Sequence, residues 1–380
     1  MDISQVLPGD RAAIRRFIEF AFRLYKGQEL WVPPLVGDLR SYLTRKHPFF
    51  DHSDAAFFLA WRDGKVVGRI AAIENRAYNG HHGTNTAFFG FFECIDDEAV
   101  ASGLLDAASV WARERGLSSI LGPKGFVRSA GTGLLVEGFD QFPALGIAWN
   151  FPYYDRLLTK AGFTKTADYL SGWLDRSARG DERLYRVAEI ARKRGNFAIR
   201  AFDSRRELQA VLPAVKRIQH EAFADNPNYV PSTDAEFDLM AKTLIFVADL
   251  SIVRFIEKDG EIAGFMNAYP NLGRGFQKAR GRLWPLGWLY ILLERSRSLT
   301  LDLNGIGILP RYQKQGGDAI LFTELEQRIR ASRYEKVDFI QVNEDNFLSK
   351  SGIEHFKVAW AKRHRVYRRD ILDATSDIIK

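Results

Sequence analysis

Apolar and polar positions recur with two different periods along this chain, and the switches between them mark its elements. Residues 10–25 (DRAAIRRFIEFAFRLY) repeat apolar side chains at three- and four-residue spacing behind Asp10, which predicts an amphipathic helix capped there. Pro33 and Pro34 break it, and a shorter helical piece follows to about Arg45. From Ala55, AFFLAWRDGKVVGRIAAIEN reads as a strand, an Asp63-Gly64 turn and a second strand. Thr86 to Ile95 is a third strand and Asp97 to Arg115 a helix ending at Gly116. Leu117 to Leu121 is a strand, residues 131–142 (GTGLLVEGFDQF) a loop with exposed acids, and residues 150–163 open a helix closed at Gly162. A strand to Leu174 follows.

The same plan then repeats. Helices are predicted over residues 179–193 and 205–223, with a strand over 197–202 between them, and Thr233-x-x-Glu236 has the form of a capping box. Residues 251–269 repeat the first hairpin: Asp259-Gly260 with Gly264 four residues on, against Asp63-Gly64 with Gly68. Two such units, each preceded by two helices and followed by strand–helix–strand, predict a tandem duplication. The expected domains are 1–178 and 179–380, joined where Ser, Ala, Gly and charge replace periodic apolar residues near 176–181.

The stretch with most chemistry is residues 299–330 (LTLDLNGIGILPRYQKQGGDAILFTELEQRIR). An apolar strand through Ile308 and Leu309 meets Pro310, a polar turn carries Gln313, Lys314, Gln315, Gly316 and Gly317, and helical spacing starts near Asp318 and Ala319. A strand feeding a glycine turn that opens a helix suits phosphate, because the first helical N–H groups are unpaired and the macrodipole is positive there. On spacing alone, a plain β-turn-α crossover explains the pattern as well.

Ile308, Pro310, Gln313 and Gly316 resemble the acyl-CoA pyrophosphate motif of the GCN5-related N-acetyltransferases, the GNAT superfamily, with Asp318 where a second Gly or Ala is usual. Asn343 to Asn346 (NEDN) resembles the strand end before the last GNAT helix, and Ile353 stands where that helix usually has a proton-donating tyrosine. Across the chain, GRIAAI (68–73), GFFECIDD (90–97), GLLVEGFD (133–140), NFPYYDRLLTKAGF (150–163), DNPNYVPSTDAEF (225–237) and LPRYQKQGGDAIL (309–321) resemble a bacterial tandem-GNAT family, one branch of which is the bacterial ceramide synthases. The sequence departs from that family at residues 124–130 (KGFVRSA), where an Asn/Asp-rich loop is usual. The resemblance implies an α/β (α+β) fold of two tandem GNAT-like domains, each a mostly antiparallel mixed sheet flanked by helices. It also implies acyl-CoA as co-substrate and an amine acceptor such as a long-chain base. Ile308, Leu309, residues 313–319 and Asn346 would hold the CoA. The first half has Asp96, Asp97 and Glu98 at the matching helix start, which would repel a pyrophosphate, so only the second half is expected to bind CoA.

Composition narrows the setting. With 380 residues and 46% hydrophobic content, two cores are readily built. The start lacks an apolar run of the secretory kind and no run reaches the length of a membrane span, so a cytoplasmic protein is expected, with peripheral attachment to the inner membrane face as its extension. Cys94 is the single cysteine, and the histidines are dispersed, so no disulfide and no metal are expected. The net charge of +7 suggests anionic partners. Residues 273–299 carry Arg274, Lys278, Arg280, Arg282, Arg295 and Arg297 against Glu294, around the apolar run LWPLGWLYILL (283–293). Trp284, Trp288 and Leu292, four apart, would line one face of a helix that Pro285 and Gly287 weaken. Basic flanks with Trp and Leu suit an interfacial anchor or acyl-chain gate, and a buried amphipathic helix equally; a run so apolar has no use on nucleic acid.

An amine attacking a thioester needs a base, an oxyanion partner and a proton for the leaving thiolate. Glu93, at the end of the third strand, is the leading candidate base, with Glu137 and Asp140 as rivals. Tyr154 is a candidate proton donor, and Tyr153 and Asn150 candidate substrate contacts; each is equally a packing or surface residue. Cys94 beside Glu93 and Asp96 is a poor nucleophile. The competing readings are a non-catalytic CoA- or lipid-binding module, and an acetyltransferase for a small polar or protein amine.

Overall fold

A computed structural model describes residues 1–126, 131–345 and 353–371. The chain forms two compact units that interleave along the sequence. The first holds Met1–Tyr169, Phe276–Trp288 and the residues from Lys362 onward; the second holds Leu170–Gly275 and Leu289–Ala361.

In chain order the elements are β1 (Asp2–Gln5), α1 (Arg11–Leu24), α2 (Val36–Leu43), β2 (Asp54–Arg62), β3 (Lys65–Glu74), α3 (Arg76–His82), β4 (Thr86–Cys94), α4 (Glu98–Arg113), β5 (Ser119–Gly122), β6 (Leu134–Glu137) and α5 (Tyr154–Lys160). β7 (Thr164–Asp175) leads into α6 (Glu182–Arg194), β8 (Phe197–Arg200), α7 (Arg205–Ala210), α8 (Leu212–Phe223), α9 (Asp234–Val247), β9 (Arg254–Lys258) and β10 (Glu261–Pro270). Then come α10 (Gly273–Ala279), α11 (Gly287–Arg297), β11 (Thr300–Ile308), α12 (Gly317–Ala331), β12 (Lys336–Asn343) and β13 (Ala359–Asp370).

Each unit is built on a mixed sheet. In the first the order is β1-β2-β3-β4-β5-β13, with β6 also on β13; β4 and β5 are parallel and the other pairs antiparallel. In the second, β12-β11-β10-β9-β8 repeats the arrangement, with β11 and β12 the parallel pair. Helices cover both faces, which explains the nearly unbroken apolar strands. Along β2, Ala56, Phe58 and Ala60 pack in the core under α4 and α5, while Phe57 and Leu59 pack in the core with α1 and α2. Along β9, Ile256 faces the core of α6 and α12, and Phe255 that of α7, α8 and α9.

Local signals produce the expected local structure. The Asp10 carboxylate accepts from the Ala12 and Ala13 N–H groups at 3.0 and 2.9 Å. Asp63-Gly64 and Asp259-Gly260 all have positive φ, as a two-residue type I′ turn requires. Thr233 and Glu236 form the reciprocal capping box. The helix expected over 205–223 is divided into α7 and α8, because Pro213 sits in the first turn of α8 and has no N–H to continue a single helix. The loop expected over 131–142 contains β6, whose Leu134, Leu135 and Glu137 pair with Arg365, His364 and Arg363. That partner is more than two hundred residues away in sequence, so no local pattern announces it.

Candidate active site

Two parallel strands that part, followed by a helix start that no side chain caps, define the site in the second unit. β11 and β12 pair from Thr300–Leu303 against Lys336–Phe339. Among the described residues that ladder ends there, while β11 runs on to Ile308 and β12 to Asn343. At the parting the register of β11 against β10 shifts between Met266 and Ala268, and Gly305 takes φ +121 with open space where a Cβ would stand. Residues 304–306 are accordingly accessible in a strand otherwise buried on both sides. Backbone N–H and C=O groups on such an opened edge can pair with an extended, amide-bearing ligand.

The strand then delivers the chain to the turn. Leu309 is buried and Ile308 nearly so, and both side chains belong to the core, so these two offer only backbone to a ligand. Gln313 donates from its side-chain amide to the Ile308 carbonyl at 3.0 Å, closing the turn, and Gln315 donates to the Arg311 carbonyl at 2.7 Å. Gly316 is left-handed (φ +85); a Cβ there would meet Ala191 at 2.8 Å and Val187 at 3.1 Å on α6. Glycine thus lets α6 close against the back of the turn. α12 starts at Gly317 with no side-chain cap, Asp318 in its first turn and Ala319 buried. Lys314 is exposed beside it, and Lys258 donates to Gln315. An uncapped N-terminus with two adjacent ammonium groups fits a pyrophosphate. Asn346 lies outside the described residues.

The first unit lacks both features. After β5 the chain stays on β4: the Lys124 N–H donates to the Phe89 carbonyl at 2.8 Å, and the Lys124 carbonyl lies 2.6 Å from where a Cβ on Gly90 would be. The matching helix start is capped by Asp97, whose carboxylate accepts from Val100 N–H at 3.0 Å and from Arg62. Arg156 pairs with Asp96 and Glu98. Three acids and their arginines occupy the place a phosphate would take.

The carboxylates and tyrosines singled out by sequence all fall in the first unit, whereas the opened strands and turn are in the second. Glu93 is one-sixth exposed and ion-paired with Arg69, which is fully buried and also donates to the Phe17 carbonyl. Tyr153 and Tyr154 are brought beside it: both hydroxyls donate to the Cys94 carbonyl, at 2.7 and 3.0 Å, and the Cys94 N–H donates to Tyr154. Burial, and then the neighbouring Tyr25, push the Tyr154 phenol well above its usual range. Burial and the carboxylates of Asp97, Asp96 and Glu93 likewise push the Cys94 thiol up, so it is not a thiolate nucleophile. Asn150 pins Leu135, accepting from its N–H at 2.8 Å and donating to its carbonyl at 3.1 Å. Glu137 is 63% exposed and paired with Arg363, and Asp140 accepts from Gln141.

In the 273–299 segment Trp284 precedes α11 instead of lying on it, since the helix starts only after Pro285, and Leu292 is half-buried. The expected face of Trp284, Trp288 and Leu292 is therefore not formed. Leu283, Trp284, Leu286, Trp288, Leu289, Tyr290, Leu293 and Leu299 are the segment's exposed large apolar side chains. One group at the opened strands was missed: the Tyr269 hydroxyl, which accepts from the Asn304 amide at 3.1 Å. Burial and Asp302 raise its pKa, so it stays protonated. Its only sequence signal was its place at the end of the second hairpin. Ile353 is buried in the second unit's core. Among the described residues no group of three His, Cys, Asp or Glu could hold a metal, and no helix is long and apolar enough to cross a membrane.

Comparison with known proteins converges on the same family. Residues 215–351, which contain the opened strands and the turn, match the acetyltransferase (GNAT) family. The chain is 32% identical over 314 residues to the bacterial ceramide synthase of Caulobacter vibrioides, covering 80% of each. It is 27% identical over 370 residues to protein YghO of Escherichia coli, covering 94% of this chain and 93% of that one. Among solved structures, a tandem GNAT protein from the clavulanic acid biosynthesis pathway superposes with a TM-score of 0.56 at 12% identity, over 98% of this chain and 99% of that one. A GCN5-related N-acetyltransferase from Anabaena variabilis gives 0.51 at 11% identity, over 98% and 73%. With a GNAT sequence match on the half that carries the open turn and a tandem GNAT neighbour spanning both halves, the chain belongs to the GNAT acyltransferases as a tandem member.

Proposed function

We propose that this protein is an acyl-CoA-dependent N-acyltransferase that moves a long acyl chain onto a long-chain base, forming a ceramide-type amide. The observation that carries the acyl-CoA reading is the pairing of opened parallel strands with an uncapped, glycine-led helix in the second unit alone. The acceptor class rests on the similarity to the Caulobacter ceramide synthase. In this reading the N–H groups at the start of α12, with Lys314, hold the pyrophosphate. The backbone of residues 304–306 aligns the pantetheine arm. A base takes one proton from the ammonium, the neutral amine attacks the thioester carbonyl, a C–N bond forms as the C–S bond breaks, and as the nitrogen sheds its second proton to the site or solvent the thiolate takes one up. Tyr269, protonated and bonded to Asn304 beside the opening, is our candidate for that proton's source. Glu93 is our candidate base, with Glu137 and Asp140 as rivals.

The test is thiol release from acyl-CoAs of graded chain length with a sphingoid base, set beside a polar amine. Long-chain acyl-CoA with the sphingoid base should turn over, and Glu93→Gln should lower that rate by on the order of 10²-fold at neutral pH with recovery in alkali. Thiol release only with the polar amine would replace the lipid acceptor. Release from none would favour a CoA- or lipid-binding module, the reading that Ile353, buried where family members carry a tyrosine, also supports.

A further inference from the structure

Residues 276–288 (FQKARGRLWPLGW) display a cluster of large apolar side chains to solvent. Trp284 is 81% exposed, and Leu283, Leu286 and Trp288 are exposed beside it. An exposed tryptophan among leucines costs solubility and is seldom left without use.

The display is held in place and is not a slack loop. Gln277 donates to the Glu29 and Trp31 carbonyls at 2.7 and 3.0 Å, and the Val36 N–H donates to the Gly281 carbonyl at 2.8 Å. Gly281, left-handed, lies so close to the Pro34 carbonyl that no Cβ fits. The turn closes on itself as well. Trp288 donates from its backbone N–H to the Leu283 carbonyl and from its indole to the Pro285 carbonyl, both at 3.0 Å, and a Cβ on Gly287 would overlap the Arg282 carbonyl. The carbonyls of Gly281, Leu283 and Pro285 are thus satisfied within the fold, which lowers the cost of pressing this turn against an apolar medium.

Charge selects the occupant. The segment contains Lys278, Arg280 and Arg282, all exposed, and no acidic residue. A second copy of the chain seated face to face by two-fold symmetry would set those cations against their equivalents. A phosphodiester strand would satisfy the cations and waste Leu283, Trp284 and Leu286. Anionic headgroups above an acyl layer match both, with Trp at the level where interfacial side chains concentrate.

We propose that residues 276–288 are a rigid interfacial anchor that seats this protein on an anionic lipid bilayer, Trp284 and Leu286 entering the acyl boundary and Lys278 and Arg282 meeting headgroup phosphates. The inference stands apart from the acyl-transfer reading, and its test reads binding, not turnover. The full chain is sedimented with phosphatidylcholine vesicles, with and without about a third phosphatidylglycerol. Wild type should partition onto the anionic vesicles and be released by salt. Trp284→Ser with Leu286→Ser should lower that partition by about tenfold. Lys278→Glu with Arg282→Glu should lower it by about tenfold or more and remove the salt dependence. All four side chains are exposed, so both pairs should keep the wild-type thermal transition; if the serine pair unfolds, the charge pair decides. The anchor is refuted if wild type ignores anionic vesicles at low salt, or if neither pair changes partition. It is equally refuted if sedimentation velocity shows self-association that the serine pair abolishes without any vesicle binding.

Discussion

Lys124 holds its ammonium where water does not reach. The residue is 8% exposed, its Nζ has no hydrogen-bond partner among the described residues, and the rings of Tyr78 and Phe88 lie 4.2 and 4.6 Å away. Burial pulls its pKa down to about 7. The sign follows from linkage. Above the unfolded pKa of roughly 10.4 both states are neutral, and the amine carries no penalty. As pH falls from there towards about 7 the unfolded chain binds a proton that the folded chain refuses, so stability is lost across that window and levels off below it. Chemical denaturation should therefore show wild type gaining about 2 kcal/mol on Lys124→Met between about pH 7 and about pH 9. A constant difference would mean that the amine is paired or solvated. Arg69 makes the contrast: buried still more completely, it has Glu93 and the Phe17 carbonyl. A cation with such partners is a strut of the sheet, which is why Glu93 has a structural duty whether or not it is also a base.

At the scale of elements, the turn before α12 and the start of α4 are the same unit put to different use, and substitutions should separate them. Gly316 is a poor probe, since any side chain there meets Ala191 and Val187 and disturbs packing before it disturbs a ligand. Lys314 is exposed, so Lys314→Glu should weaken CoA binding by about tenfold in calorimetric titration, with an unchanged thermal transition. Asp97→Ala should do the reverse, costing about 1 kcal/mol of stability as a lost cap and leaving CoA affinity alone. Equal CoA losses in both would contradict the assignment to the second unit. These starts could be read from the sequence because caps, glycine turns and I′ hairpins act within a few residues. The parting of β11 from β12 could not, nor could the filling of the matching gap by Lys124: both depend on how strands separated by a whole helix lie together. Trp284 shows the middle case. Spacing put it on a helix that Pro285 and Gly287 weaken, and in the structure the helix starts only at Gly287.

At the scale of the molecule, the interleaving of the chain sets what can fold alone. A duplication read from sequence suggests that residues 1–178 form an autonomous domain, yet the first unit takes its last strand from the far end of the chain. β13 pairs Tyr367–Asp370 with β5 and Arg363–Arg365 with β6. Val366 and Tyr367 are buried in it. Asp168 depends on the same strand. Its burial alone would raise its pKa, but hydrogen bonds from Arg365, Lys165 and Arg363 hold it down at about 2. Without β13 this carboxylate loses both arginines while β5 and β6 expose unpaired edges, a combination that costs several kcal/mol and invites aggregation. A fragment ending at residue 178 should accordingly be insoluble, or lack near-ultraviolet circular dichroism while keeping helical signal. Residues 359–371, joined to its C-terminus through a flexible linker, should restore a cooperative thermal transition, and Arg365→Met in that appended strand should weaken the rescue. A cooperative transition in the unsupplemented fragment would show that the first unit does not need β13, and the two halves would then be independent in folding as well as in descent.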